Sequence, residues 1–293
     1  MTTLPMPNPR RPGSGATAGR SGFSLIEMIG VLAIIAIVAA VVLPNLARRI
    51  SRTTGEKEDS ALVVLAEGLQ RHVRTYQSIP GQASWSTNLS GMTGLALNTV
   101  KYVNPSDPAS ARVYLIHPNF TPATGSGGGF ADPLWTQTGF GAASVSNAKI
   151  LIVSTHKSSL ALPVSSGKAS SAAVFDAIWD WTYNPTTGSP PSGWSAPWTG
   201  NGEYLHVQRV NLAGQFQRIT FSNAHYPGVY PSAQFGSAGA SNLSSAAAMD
   251  AFYLSGTYLR LYKDSAAGGA LDLSHSVETW MNFLYESNRW RIP

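Results

Sequence analysis

A single carboxylate, Glu27, stands in the run FSLIEMIGVLAIIAIVAAVVL (23–43), where every other residue is uncharged. At the centre of a membrane helix a carboxylate costs about 2.5–3.5 kcal/mol on insertion scales. Glu27 lies about one turn from the start, where that cost is smaller and the helix dipole favours a negative charge by about 0.3–1 kcal/mol. Its chemistry depends on what faces it. Left alone, it is a carboxylate at the headgroup boundary. If the chain were cut between Gly22 and Phe23, a free ammonium would appear at Phe23, and positions i and i+4 share a helix face. Cation and anion could then pair within one chain or between neighbouring chains.

Other chemistry is sparse. There is no cysteine, so disulfides, thiolate nucleophiles and thiolate metal sites are excluded. The six histidines, at 72, 117, 156, 206, 225 and 275, show no HExxH or other ligand spacing and read as structural or surface residues. No GxSxG elbow, P-loop or strand-borne GxGxxG occurs. Asp176 and Asp180 stand four apart on a possible short helix; they could bind a cation or a basic partner, or simply be exposed. Asp264 and Asp272 flank SAAGGA, but calcium takes 6–8 oxygen ligands and two scattered carboxylates are too few. Trp179, Trp181, Trp194 and Trp198 cluster with Tyr183 around a Pro/Gly/Ser tract. They suit either a sugar-stacking or docking surface, or loops pinned to a core. No catalytic residue, cofactor or metal is expected.

The element that must position Glu27 is a helix. Twenty-one residues at about 1.5 Å each span roughly 32 Å, the depth of a bilayer core. The run is apolar all round, Pro44 ends it, and Arg48, Arg49 and Arg52 follow. Three readings compete. A secretory signal peptide would have a shorter apolar core with a cleavage site after it. A plain anchor fits the length but leaves Glu27 unexplained, and the three arginines on either side do not orient it. Cleavage ahead of the run explains both Glu27 and its spacing. The basic residues also argue against nucleic acid as a partner. Arg10, Arg11 and Arg20 precede the run, and from residue 80 onward 11 basic residues meet 10 acidic ones, so no basic stripe is left to track phosphates.

GFSLIEM, the long apolar helix and Pro44 together resemble the class III signal of type IV pilins and type II secretion pseudopilins. The resemblance implies that prepilin peptidase cuts after Gly22 and methylates the new amine of Phe23. It further implies that Glu27 pairs with such a terminus during assembly and that Pro44 kinks the helix. Implied partners are prepilin peptidase, other pilin or pseudopilin subunits, an inner-membrane assembly platform and the lipid bilayer. The implied location is the bacterial inner membrane, with the C-terminal domain in the periplasm, and then the fibre. Two features depart from common relatives: the 22-residue leader is long, and no disulfide can close a C-terminal loop.

Downstream, NLARRISRTTG (45–55) is polar, and Thr53 with Glu56 has the capping-box spacing of a helix restart. Leu62, Leu65, Leu69, Val73 and Tyr76 form one helical stripe; Glu58, Asp59, Glu67, Arg71 and Arg74 are expected on the other face. Ile79-Pro80-Gly81 stops the helix. RVYLIH (112–117), KILIVST (149–155) and TYLRLYK (257–263) read as strands. EYLHVQRV and QFQRITFS, joined by residues 211–214, read as a hairpin. Residues 173–181 and 276–286 read as helices, the second capped by Ser276. The expected fold is α+β: a long N-terminal helix, transmembrane in its first half and amphipathic in its second, packed on a mainly antiparallel sheet with long loops. The expected segments are a leader (1–22), a membrane and fibre-core helix (23–43), a linker and amphipathic helix (44–79), and a β-rich domain (80–293). The expected function is a pilin-like or pseudopilin subunit, with a tip adhesin acting through Trp-rich loops as the alternative.

Overall fold

The computed structural model describes residues 24–123, 130–155, 164–165, 168–194, 204–222, 232–236, 239–243, 249–263 and 270–293. Gly22, Phe23, His156, Trp198, His225 and Asp264 lie outside the described residues. By internal contacts the chain forms two units, Met1–Ser51 and Arg52–Pro293.

The helix α1 (Leu25–Tyr76) includes Pro44 within it, and residues 44–55 are helical. Proline removes one backbone donor here; next to it, Asn45 Nδ2 donates to the Val41 carbonyl at 3.1 Å. The Thr53–Glu56 box does not start a new helix, and Glu56 pairs instead with Arg52 at 3.0 Å. In the first unit the apolar side chains are exposed, Leu25 and Ile26 at 78%. This segment is long and apolar enough to cross a membrane.

In the second unit the stripe behaves as the spacing predicts from Leu62 to Val73, all buried. Two residues depart from it. Tyr76 is 56% exposed, because the helix ends there, and Glu58 is buried instead of lying on the polar face. Beyond α1 come β1 (Ser78–Ile79), α2 (Trp85–Thr93), α3 (Leu97–Lys101), β2 (Val113–Ile116), β3 (Trp135–Thr136) and β4 (Lys149–Thr155). Then follow β5 (Val164–Ser165), β6 (Lys168–Ala169), α4 (Ala172–Asp180) and β7 (Leu205–Asn211). A five-stranded sheet has the order β5-β6-β2-β4-β7, antiparallel except between β6 and β2. Its strands read VYLI and ILIV because both faces are covered. Tyr114, Ile116, Ile150 and Ile152 share a core with the α1 stripe, while Leu115, Leu151 and Val153 pack with Phe175 and Ile178 of α4. Gly68 lets α2 approach α1 closely, since a Cβ there would stand 2.6 Å from Thr93 Cγ2.

The chain ends in β8 (Phe216–Ser222), β9 (Ser232–Phe235), β10 (Ser241–Asn242), β11 (Met249–Leu254), β12 (Thr257–Tyr262), β13 (Leu271–Val277), β14 (Met281–Glu286) and β15 (Arg289–Arg291). They form two four-stranded sheets, β11-β8-β14-β15 and β10-β9-β12-β13. Ile219, Phe221, Tyr253 and Phe283 of the first share a core with Phe235, Leu259 and Leu261 of the second. The fold is α+β, a long apolar N-terminal helix followed by mainly antiparallel sheets.

Two expected elements are corrected. β7 and β8 are strands but not a hairpin: β7 pairs with β4, whereas β8 pairs with β11 and β14. β8 places Phe216 in the α1 core and Ile219 and Phe221 in the second, so it leaves β7 and starts another sheet. Residues 276–286 hold the end of β13 and all of β14 rather than a helix. Val277, Trp280, Met281 and Leu284 imitate a helical stripe, but of these only Val277 is buried, Trp280 is 64% exposed, and β14 buries Phe283 and Tyr285 at period two. Aromatic density favours the pleated form.

Candidate assembly site at the head of helix α1

Ser24 and Glu27 close a reciprocal capping box. The Glu27 N–H donates to Ser24 Oγ at 3.3 Å, and the Ser24 N–H and hydroxyl each donate to Glu27 Oε2 at 2.9 Å. The Met28 N–H donates to the Ser24 carbonyl at 3.1 Å and opens the helix. Side-chain oxygens thereby satisfy backbone donors that a helix start leaves unmatched. The role of Ser24 is missing from the sequence reading, although S-x-x-E ahead of an apolar run is the signal for it. A carboxylate offers about four lone-pair sites, and these bonds use one oxygen, so Glu27 keeps capacity for a cation beside residue 24.

With that geometry in place, residues 17–43 match the family described as the prokaryotic N-terminal methylation motif. This segment is a prepilin-type signal. Signals of this type mark type IV pilins and pseudopilins, and support a pilin- or pseudopilin-type subunit. The match is confined to the N-terminal segment. No curated protein and no solved structure matches the chain.

The structure also reveals an ionic site that the sequence reading missed. Arg112 donates from Nε to Glu58 Oε1 at 2.7 Å and from Nη2 to Oε2 at 2.6 Å, with the two side chains 3% and 2% exposed. Ser154 Oγ donates to Glu58 Oε1 at 2.6 Å, while Arg112 Nη1 donates to the carbonyls of Val100 and Tyr102 at 3.0 and 2.8 Å. Both charges are therefore paired and hydrogen-bonded, which makes their burial tolerable. On the next residue of the helix, Asp59 meets His206 Nδ1 at 2.7 Å. These contacts fix α1 to the five-stranded sheet. Glu58 stands four residues before Leu62, on the extension of the stripe, and that spacing was the available clue.

Of the remaining described candidates Tyr183 is 40% exposed, and the others are engaged within the chain. Asp176 lies 3.4 Å from Lys149 Nζ and 3.6 Å from His117 Nε2. The Asn119 N–H donates to His117 Nδ1 at 3.0 Å, leaving the ring proton on Nε2, toward Asp176. Burial pushes the His117 pKa down, and Asp176 opposes that shift. Burial also lowers that of His72. Asp180 lies in the field of Arg209, whose guanidinium donates to the Trp179 and Trp181 carbonyls. Asp272 accepts the Trp290 N–H at 2.5 Å and faces Lys263 at 3.6 Å. Trp179 stacks on Phe175 at 6.1 Å beneath Lys149 Nζ, and Trp181 Nε1 donates to the Ser189 carbonyl at 3.1 Å. With Trp194, both are partly buried against the α4 core, as loop-pinning side chains would be.

Proposed function

We propose that this chain is a structural subunit of a type II secretion or type IV pilus-like fibre, held in the bacterial inner membrane before assembly. Its C-terminal unit would face the periplasm. The observation that carries the reading is a prepilin-type signal at 17–43 whose one carboxylate caps a helix long enough to span a bilayer. On this reading prepilin peptidase cuts between Gly22 and Phe23 and methylates the Phe23 amine. Severing that bond produces a cation beside the capped Glu27. Pairing between the amine and Glu27, within or between subunits, offsets the cost of an anion in lipid and sets the axial stagger as subunits leave the membrane through the assembly platform. The role is structural, with no catalytic step assigned.

The tip-adhesin alternative draws no support from Trp179, Trp181 or Trp194, whose rings serve the core. Mass spectrometry of the mature N-terminus tests the processing step. The expected chain begins at Phe23 and carries one added methyl on nitrogen. A native chain that retains Arg20 in a strain with active prepilin peptidase would overturn it.

A further inference from the structure

A cleft of about 540 Å³ with a mixed polar and apolar lining lies between the last turns of α1 and helix α2, closed on one side by the loop around Asp132. It falls within the 300–1,000 Å³ typical of small-ligand pockets. His72 lines it with only 7% of its surface exposed, yet its buried Nδ1 has no hydrogen-bond partner among the described residues. An enclosed imidazole nitrogen without an acceptor is best left as a bare lone pair, because an unmatched N–H is the rarer and costlier defect. The proton then sits on Nε2, the polar atom that His72 can offer an occupant.

The rest of the lining is built and only partly used. Asp132 Oδ1 accepts the Gly81 N–H at 2.9 Å and the Ser84 hydroxyl, while Asn88 Nδ2 donates to Ser84 Oγ at 3.2 Å. Among the described residues this leaves Asp132 Oδ2 and Asn88 Oδ1 as acceptors, the Thr87 hydroxyl as either, and Nε2 of His72 as a donor. Tyr76, 56% exposed, places its ring centroid 4.8 Å from that of His72 at the rim.

This composition selects a ligand class. Among the described residues no lysine or arginine lines the cleft, so phosphate and carboxylate ligands find no countercharge there. One carboxylate and one imidazole are too few for a metal. A simple ammonium would satisfy the acceptors and leave the donors unmatched. Adjacent ligand hydroxyls both donate and accept, and an apolar ring face can rest on Tyr76. We propose that this cleft binds a neutral sugar, one pyranose unit with its hydroxyls toward His72, Asn88 and Asp132. The proposal goes beyond the assembly reading and concerns residues 72–133 alone.

The test uses the full chain in a detergent without a sugar headgroup, because a glycosidic detergent would compete. Saturation-transfer NMR is run with D-glucose, D-galactose, D-mannose and N-acetyl-D-glucosamine, and with methylammonium as the opposing probe. At least one sugar is expected to give a saturable signal that Thr87→Arg, on the exposed face of α2, weakens at least tenfold. His72→Leu should weaken the same signal while leaving the thermal midpoint equal or higher, since it removes a buried unmatched nitrogen. No saturable signal from any of the four sugars on folded protein would overturn the proposal. So would equal binding by Thr87→Arg, unchanged binding by His72→Leu, or preference for methylammonium. N-terminal processing has no bearing on any of these outcomes, so this inference and the assembly reading can fail separately.

Discussion

Helix α1 carries two carboxylates in opposite circumstances. Glu27 is exposed and its partner is Ser24, three residues away. Glu58 is buried and its partner is Arg112, 54 residues away. The first pair can form before anything else folds. The second exists only once the five-stranded sheet has packed on the helix. A charge satisfied locally remains available to a further partner, whereas one satisfied across the core is committed to the fold.

Breaking the core pair is the largest expected effect on stability. Glu58→Ala strands the Arg112 guanidinium in a dry site and should cost about 3–5 kcal/mol, read from urea unfolding of the full chain. Glu27→Ala, in the same assay, should leave the unfolding of residues 52–293 unmoved. A loss below about 1 kcal/mol for Glu58→Ala would erase the distinction between the two carboxylates.

A smaller effect follows from the buried imidazoles. Burial holds His72 and His117 below the ordinary histidine value of 6.5, so the unfolded chain takes up protons first. The stability from keeping them neutral is fully present above about pH 6.5 and is lost as pH falls through their folded values. Urea midpoints compared between pH 7.5 and pH 5.5 should fall more steeply for the native chain than for His72→Leu. Equal slopes would show that His72 is not held neutral by the fold.

The same contrast between local and distant partners explains what could be read in advance. The apolar run at 23–43, the four-residue step from Phe23 to Glu27 and the stripe from Leu62 to Val73 are local patterns, and the sequence displays them directly. Buried strands such as KILIVST were legible because covering both faces leaves an unbroken apolar run. Where the partner is distant, the reading failed. QFQRITFS was correctly a strand, but its neighbours are β11 and β14, and nothing in a turn at 211–214 reveals that. Residues 276–286 carried both a helical stripe and a period-two aromatic set, and only a second sheet to pack against decides between them. The cleft beside His72 had no linear signature, because it joins α1, α2 and the Asp132 loop. Ser24 is local too, because its capping role is carried by the S-x-x-E pattern it forms with Glu27.

The central claim is that Glu27 is kept for the amine created at Phe23, and fibre incorporation of Glu27→Ala tests it most directly. In the native strain the variant should be cleaved and membrane-bound, yet at least tenfold depleted from sheared or cross-linked fibres. Incorporation equal to that of the native chain, with cleavage intact, would contradict the claim.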